Sequence, residues 1–370
     1  MLILWGLFIL LIPFYVVKGG LPQPGDALVL ILVPVVLFGW NGRLERRSLF
    51  AFRALVWFTL WVTLVDLAWA AILNKWGFDT IFPVYYIYNA AIFLTALVLY
   101  ERHRDAFITL TLNALFVSVV MQVTISIVYR RGSFRSSLFF DNPNQLGYYA
   151  LLVACIIALT HRRARFGLVK TGIGLTACGY LALLSASRAA AAGIALLVVL
   201  QVFSNPRVIA TATVTALVVM LVSGGASNAF DSLQERVVQD RSPNLSFFEQ
   251  RGYDRIWNNK EYLLAGAGEG NRDRFAGSTA IGHAEIHSSV GTVLFSYGLI
   301  GIVLFSVFLW RLLRGSPIKM MLVLAPPLSY TIAHQGLRFT MLWVLLAIFM
   351  ALKVTPATDK KVRPALATAN

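Results

Sequence analysis

Charge is what this sequence lacks most. Only 13% of its 370 residues are Asp, Glu, Lys or Arg, about half the roughly 25% usual in soluble chains. Acidic residues are the scarcer kind, 17 against 32 Lys and Arg. The two cysteines, Cys155 and Cys178, both fall in apolar stretches. That excludes a disulfide framework or a zinc spacing and leaves them as small buried hydrophobes. No D-x-D pair or carboxylate cluster marks a divalent metal site. The first segment has no basic leader and no small-residue cleavage site, so a retained first helix is expected rather than a signal peptide. There is no internal repeat, no low-complexity tract, and no stacking-plus-basic pattern of a nucleic-acid groove.

What is abundant is apolar surface: 58% of residues are hydrophobic and the mean hydropathy is +0.71. A membrane-crossing helix needs about 20 mostly apolar residues, and the chain supplies such stretches almost end to end. The pattern predicts an all-α polytopic membrane protein of about twelve spans. They cover 1–17, 26–40, 49–73, 81–100, 106–128, 145–160, 167–185, 188–203, 207–223, 286–310, 317–335 and 338–354. One hydrophilic segment, 224–285, interrupts them as a loop subdomain within a single membrane domain, 1–370.

Short loops rich in Lys and Arg stay in the cytoplasm. With the N-terminus there, the inner loops collect Arg43, Arg46, Arg47, Arg102, Arg104, Arg162, Arg163, Arg165, Arg311, Arg314 and Lys319. Both termini are then cytoplasmic, and the formal charge of +15 mostly reports topology. Segment 224–285, between spans nine and ten, lies outside.

Against that bias, the informative cations are on the outer side. They are Arg130, Arg131 and Arg135 before span six, Arg188 in Leu183–Arg188, Arg251 and Arg255, and Arg338 at the last span. Snorkelling to lipid phosphates accounts for some of them. It accounts poorly for Arg188, at a helix junction with almost no loop and with Ser185 and Ser187 beside it as further donors. A guanidinium is a rigid donor fork suited to phosphate oxygens, so this convergence points to an anionic ligand, a lipid pyrophosphate among them. Ser246-Phe247-Phe248-Glu249 has capping-box spacing. It predicts a helix on which Arg251 and Arg255 share a face, anchored by Tyr253, Ile256 and Trp257.

Ala265–Gly270 reads as a glycine-rich loop. His287 is expected in the first turn of span ten, where the positive helix end disfavours imidazolium and keeps a neutral base available. Gly291, Gly298 and Gly301 allow close approach to that helix. His283 is the fallback base, and His334, with Arg338, could complete the site. Asp66, mid-span between Trp61 and Trp69, is either functional or a helix-packing partner.

The ordered set resembles the O-antigen ligase and O-antigen polymerase superfamily of bacterial membrane glycosyltransferases, which have a GT-C-like fold. The matching pieces are Asp141–Gly147, Ser185-Ala186-Ser187-Arg188, the Arg251…Arg255-Ile256-Trp257 stretch, Gly266-x-Gly268-x-Gly270, and His287-Ser288-Ser289-Val290 leading into Tyr297–Gly301. They span about residues 130–310. Ser288 stands where the family often has Asn, and Arg251 and Arg255 compete for one conserved position.

The resemblance implies glycan transfer from an undecaprenyl-pyrophosphate carrier to a lipid A–core or carrier-linked glycan acceptor. His287 would be the base and Arg188, Arg251, Arg255 and Arg338 the pyrophosphate ligands, with Ser187, His283 and His334 in support. Neither a metal nor a cofactor is required. Three alternatives stay open: a polytopic transporter or flippase, a glycosyltransferase using lipid-monophosphate sugars, and a scaffold.

Overall fold

The computed structural model describes residues 1–17, 22–77, 82–128, 136–202, 246–275 and 285–354, and singly 207, 210 and 213. The expected span 207–223, most of the hydrophilic segment, and Arg130, Arg131, Arg135 and His283 lie outside that set. Among the described residues there are helices and turns and no strand. The helices are α1 (Leu2–Leu11), α2 (Pro24–Phe38), α3 (Arg46–Ile72), α4 (Phe82–Val128), α5 (Pro143–Thr160), α6 (Leu168–Leu184) and α7 (Arg188–Val202). They continue with α8 (Phe247–Gln250), α9 (Asp254–Asn258), α10 (Ser289–Leu313), α11 (Ile318–Ala333) and α12 (Thr340–Val354).

Four of these, α3, α4, α5 and α10, are long and apolar enough to cross a membrane, and α1, α2, α6, α7, α11 and α12 are shorter apolar helices. The architecture is compatible with a helical membrane protein. In lipid, helices gain little from burying apolar area against one another, and close packing has to hold them together. α5 and α12 run through the centre, with Tyr148–Ile157 and Met341–Ala351 buried without interruption. α2, α3 and α10 leave Leu30, Phe38, Trp57, Leu64 and Val303 exposed on their outer faces, as lipid-facing helices do.

Several boundaries differ from the sequence pattern. α1 stops at Leu11 because Pro13 follows it and cannot sit in a helix interior. The expected spans 81–100 and 106–128 are two legs of α4, bent at Arg104 (φ 43°, ψ −115°). The legs run antiparallel. Asn89 lies near Arg338 and Ser126 near Tyr180 at one end, while Asp105 pairs with Arg163 at 2.6 Å at the other. That second end also gathers Arg102 against Gly39, Arg311 over Phe50 and Lys353 against Leu312. Arg46, Arg102, Arg163 and Arg311, expected in the short inner loops, thus lie together at one basic end of the bundle.

α10 is interrupted at Gly298 (φ 67°, ψ −170°). The interruption frees backbone groups on both sides of it, and the loop after α9 takes them up. Phe295 and Ser296 carbonyls accept from Ala267 and Gly268, and the Leu299 N–H donates to Leu263 O. The glycine-rich run is therefore a backbone partner of a broken helix. A Cβ on Gly298 would overlap the Leu264 carbonyl and one on Gly266 the Ser296 carbonyl. Gly298→Ala should lose on the order of 1–3 kcal/mol from the left-handed backbone alone, with the overlap added to it. The expected outcome is a lowered unfolding midpoint in detergent; an unchanged midpoint would show that the splice does not carry stability.

Candidate functional site

At the end opposite the basic one, α6 passes into α7 through three residues, with Ala186 in a left-handed conformation (φ 48°). α5 packs directly on this junction. A Cβ on Gly147 would come within 2.6 Å of Ser185 Oγ and 3.0 Å of Ser187 Cβ. Ser185 Oγ donates to Ala182 O at 2.7 Å and accepts from the Ser187 N–H at 3.2 Å. Its hydroxyl is engaged in holding the turn, contrary to its expected role as a ligand donor. Ser187 Oγ is buried and has no hydrogen-bond partner among the described residues. Arg188, the first residue of α7, is exposed.

The capping box forms as the spacing predicts: Glu249 N–H donates to Ser246 Oγ, and the Ser246 N–H donates to the Glu249 carboxylate. The helix it starts is only four residues long. Arg251 is its C-cap, the chain turns at Gly252 (φ 77°), and α9 begins at Asp254. Arg251 and Arg255 are thus on separate helices, not on one shared face. Tyr253 and Ile256 are buried as anchors, whereas Trp257 is 57% exposed.

Tyr253 Oη lies 2.6 Å from Ser288 Oγ and donates to Ile332 O at 3.1 Å. Ser288 caps α10 by accepting from the Gly291 N–H at 3.1 Å. His287 precedes that cap, one step outside the helix that was expected to contain it. Its own N–H donates to Arg251 O at 2.9 Å, so His287 and Arg251 are tied through the backbone.

The turn between α11 and α12 closes the far side. Ser289 Oγ accepts from the Gly336 N–H at 2.7 Å and donates to His334 O at 3.2 Å. His334 stacks on Tyr330, with ring centroids 4.5 Å apart. Tyr330 in turn stacks on Tyr148 at 4.2 Å and donates to Asn144 O at 2.9 Å. Asn144 and Tyr148 belong to the first turns of α5, so the Asp141–Gly147 stretch, Arg188, Arg251, His287 and His334 share one neighbourhood.

Electrostatics there favour anions and a neutral imidazole. Partial burial lowers the Arg251 guanidinium below its ordinary value; Tyr330 opposes the shift and the nearby Arg188 charge adds to it. Two cations within reach of each other are costly unless an anion joins them. Among the described residues neither makes an ion pair with a carboxylate. His287 is lowered below the usual imidazole range, first by partial loss of water and then by the Arg251 charge, with Glu285 pulling the other way. Loss of water and then the Arg251 charge, not a helix end, favour the neutral imidazole, since His287 lies outside α10.

No protein-family model matches this chain, and no curated protein matches it.

Arg338 and Arg255 lie in a second, acidic cluster. Arg338 forms ion pairs with Glu269 and, at 3.0 Å, with Glu285, and it lies over Phe82 at 4.6 Å. Arg255 is buried over Phe275 at 5.5 Å and lines a water-sized cavity of about 30 Å³ with Glu269, Glu285 and Arg338. Arg338 is paired with carboxylates and Arg255 lines a cavity with the same two, unlike Arg188 and Arg251, so the structure brings together only part of the expected set. Asp66 proves to be a packing partner in the same cluster. It accepts from the Glu269 N–H at 2.7 Å and from Tyr297 Oη at 3.1 Å. Among the described residues no three His, Cys, Asp or Glu side chains converge so as to hold a metal ion.

Sequence reasoning passed over Tyr330 and Glu269. Tyr330 carried no signal beyond being an aromatic residue in an apolar helix. Glu269 did: it is a lone acid inside a glycine-rich run. Its side chain is 2% exposed, so Arg338→Ala would leave a buried carboxylate without its cation, a loss of about 3–5 kcal/mol. Denaturant unfolding of the solubilised protein should show that loss, with partial recovery when Glu269→Gln is added. A stable Arg338→Ala protein would instead leave Arg338 available as a ligand residue.

Proposed function

We propose that the chain is a bacterial inner-membrane glycosyltransferase of the O-antigen ligase or surface-polysaccharide polymerase type. It has about twelve spans in a GT-C-like fold and a periplasm-facing site. The donor is a glycan on an undecaprenyl-pyrophosphate carrier; the acceptor is a saccharide, either lipid A–core or another carrier-linked glycan. The observation that carries this reading is the meeting of Arg188, Arg251 and His287 at one end of the bundle, although α7 and much of the long hydrophilic segment lie between Arg188 and the other two in sequence.

The chemistry follows from those groups. Arg188 and Arg251 hold the pyrophosphate, whose negative charge grows as the bond from the anomeric carbon to the phosphate oxygen breaks. Donors fixed in advance on developing charge usually supply the largest share of catalysis. His287 takes the proton from the attacking acceptor hydroxyl as the new glycosidic bond forms. Attack from the face opposite the leaving group inverts the anomeric centre. A base of this kind contributes about 10²–10⁴-fold. Arg255 and Arg338, engaged with Glu269, Glu285 and Phe275, sit behind this site and support its walls.

His287→Ala, checked for normal membrane insertion, should reduce glycan transfer in membranes by about 10²–10⁴-fold. Arg188→Ala should reduce it as well, while His283→Ala should not. Near-normal transfer without His287 would overturn the assignment, and a transporter or scaffold would then fit better.

The pH profile gives a separate test. His287 must be neutral to accept a proton, and its lowered pKa keeps it neutral to below the usual imidazole range. Activity should therefore persist into mildly acidic medium and fall as His287 protonates. Removing the Arg251 charge in Arg251→Gln should raise that pKa and move the acid limb to higher pH. Glu285→Gln, which removes a carboxylate that favours imidazolium, should move it lower. An acid limb that ignores both changes would mean that another group is titrating.

A further inference from the structure

A second cavity lies at the basic end, between the α2–α3 turn and the bend of α4, with a volume of about 500 Å³. Gly39, Trp40, Asn41, Arg43, Arg102 and His103 line it, together with Glu101 and Met1. The turn is held in shape by two bonds: Trp40 Nε1 donates to Arg43 O at 3.0 Å, and the Arg43 N–H donates to Asn41 Oδ1 at 3.2 Å. The Arg102 guanidinium packs against Gly39, where a Cβ would stand 3.2 Å from Nη1, and Nη1 donates to Met1 Sδ at 3.4 Å. Glu101, the acid of the lining, already pairs with Arg104 at 2.5 Å. Among the described residues no carboxylate pairs with Arg43 or Arg102, and His103 Nε2 is buried without a hydrogen-bond partner. The cavity thus offers two guanidinium forks, an imidazole and an amide, a donor set for phosphate oxygens.

The surroundings select the kind of phosphate. The helices that rise from the cavity expose apolar side chains along their outer faces: Ile3 is 76% exposed on α1, and Leu30 79% and Phe38 92% on α2. A ligand matched to the whole region is anionic at one end and apolar along its length. Basic pockets between membrane helices take anionic headgroups in this way. We propose that this cavity binds the phosphate-bearing headgroup of an anionic phospholipid, whose acyl chains lie along α1 and α2. The site is distinct from the Arg188–Arg251–His287 neighbourhood and does not depend on the proposed transfer reaction.

The test uses the purified full chain in a neutral detergent. It is titrated with short-chain phosphatidylglycerol, short-chain phosphatidylcholine or inorganic phosphate, and bound copies are counted by native mass spectrometry. Phosphatidylglycerol should bind more tightly than phosphatidylcholine. Affinity should fall roughly five-fold for each arginine removed and about thirty-fold in Arg43→Gln/Arg102→Gln. Arg46→Gln/Arg314→Gln, which removes two charges of the same end outside the cavity, should retain the affinity. If the double variant does not fold, Arg43→Gln alone reads the effect, because Arg43 is exposed and its side chain makes no ion pair among the described residues. Equal binding of the two lipids, an unchanged affinity in Arg43→Gln, or inorganic phosphate binding as tightly as phosphatidylglycerol would overturn the proposal.

Discussion

The splice between the glycine-rich loop and the broken helix α10 is the constraint on which the rest of the site end depends. A helix interrupted at membrane depth exposes N–H and C=O groups that lipid cannot satisfy. Here the freed carbonyls of Phe295 and Ser296 accept from the loop, and the Leu299 N–H donates back to it. α3 then holds both partners. Trp61 donates to the Tyr297 carbonyl, Trp69 to the Gly266 carbonyl, and Asp66 accepts from Glu269 and Tyr297. The break lets α10 begin at Ser289, with its capped end and the preceding His287 set against Arg251.

From that anchor two electrostatic regions of opposite character are built side by side. In the first, Glu269 and Glu285 neutralise Arg338 and line a small cavity with Arg255, which makes a charge-paired wall. In the second, the Arg188 charge bears on Arg251, and the Arg251 charge on His287. Satisfied buried charge holds a structure in register, and unsatisfied charge of one sign is a place for a ligand. Arginines that look equivalent in sequence therefore differ in the carboxylates that the fold sets beside them.

The local signals that proved sound are those with short-range physics. The capping box at Ser246–Glu249 and the tight Ser185–Arg188 junction both appear as the residue types require. The gathering of arginines at one end was also legible, because loop charge counts need no tertiary information. Helix continuity was not legible. Gly298 lies in an unbroken apolar run, and nothing local distinguishes a glycine that allows helix packing from one at which the helix stops.

By itself, then, the sequence determined a predominantly apolar chain, helical in the apolar runs that the structure describes, with its short basic loops gathered at one end. Composition and periodicity suffice for that, since each residue contributes independently of where its neighbours in space come from. Only the tertiary structure decided which arginine meets His287 and which is held by Glu269. It also decided that Asp66 anchors a loop and that His287 lies beside Arg251 and outside the helix end. Those outcomes are contacts between residues far apart in the chain, up to 231 positions for Asp66 and Tyr297. Packing geometry alone sets such contacts.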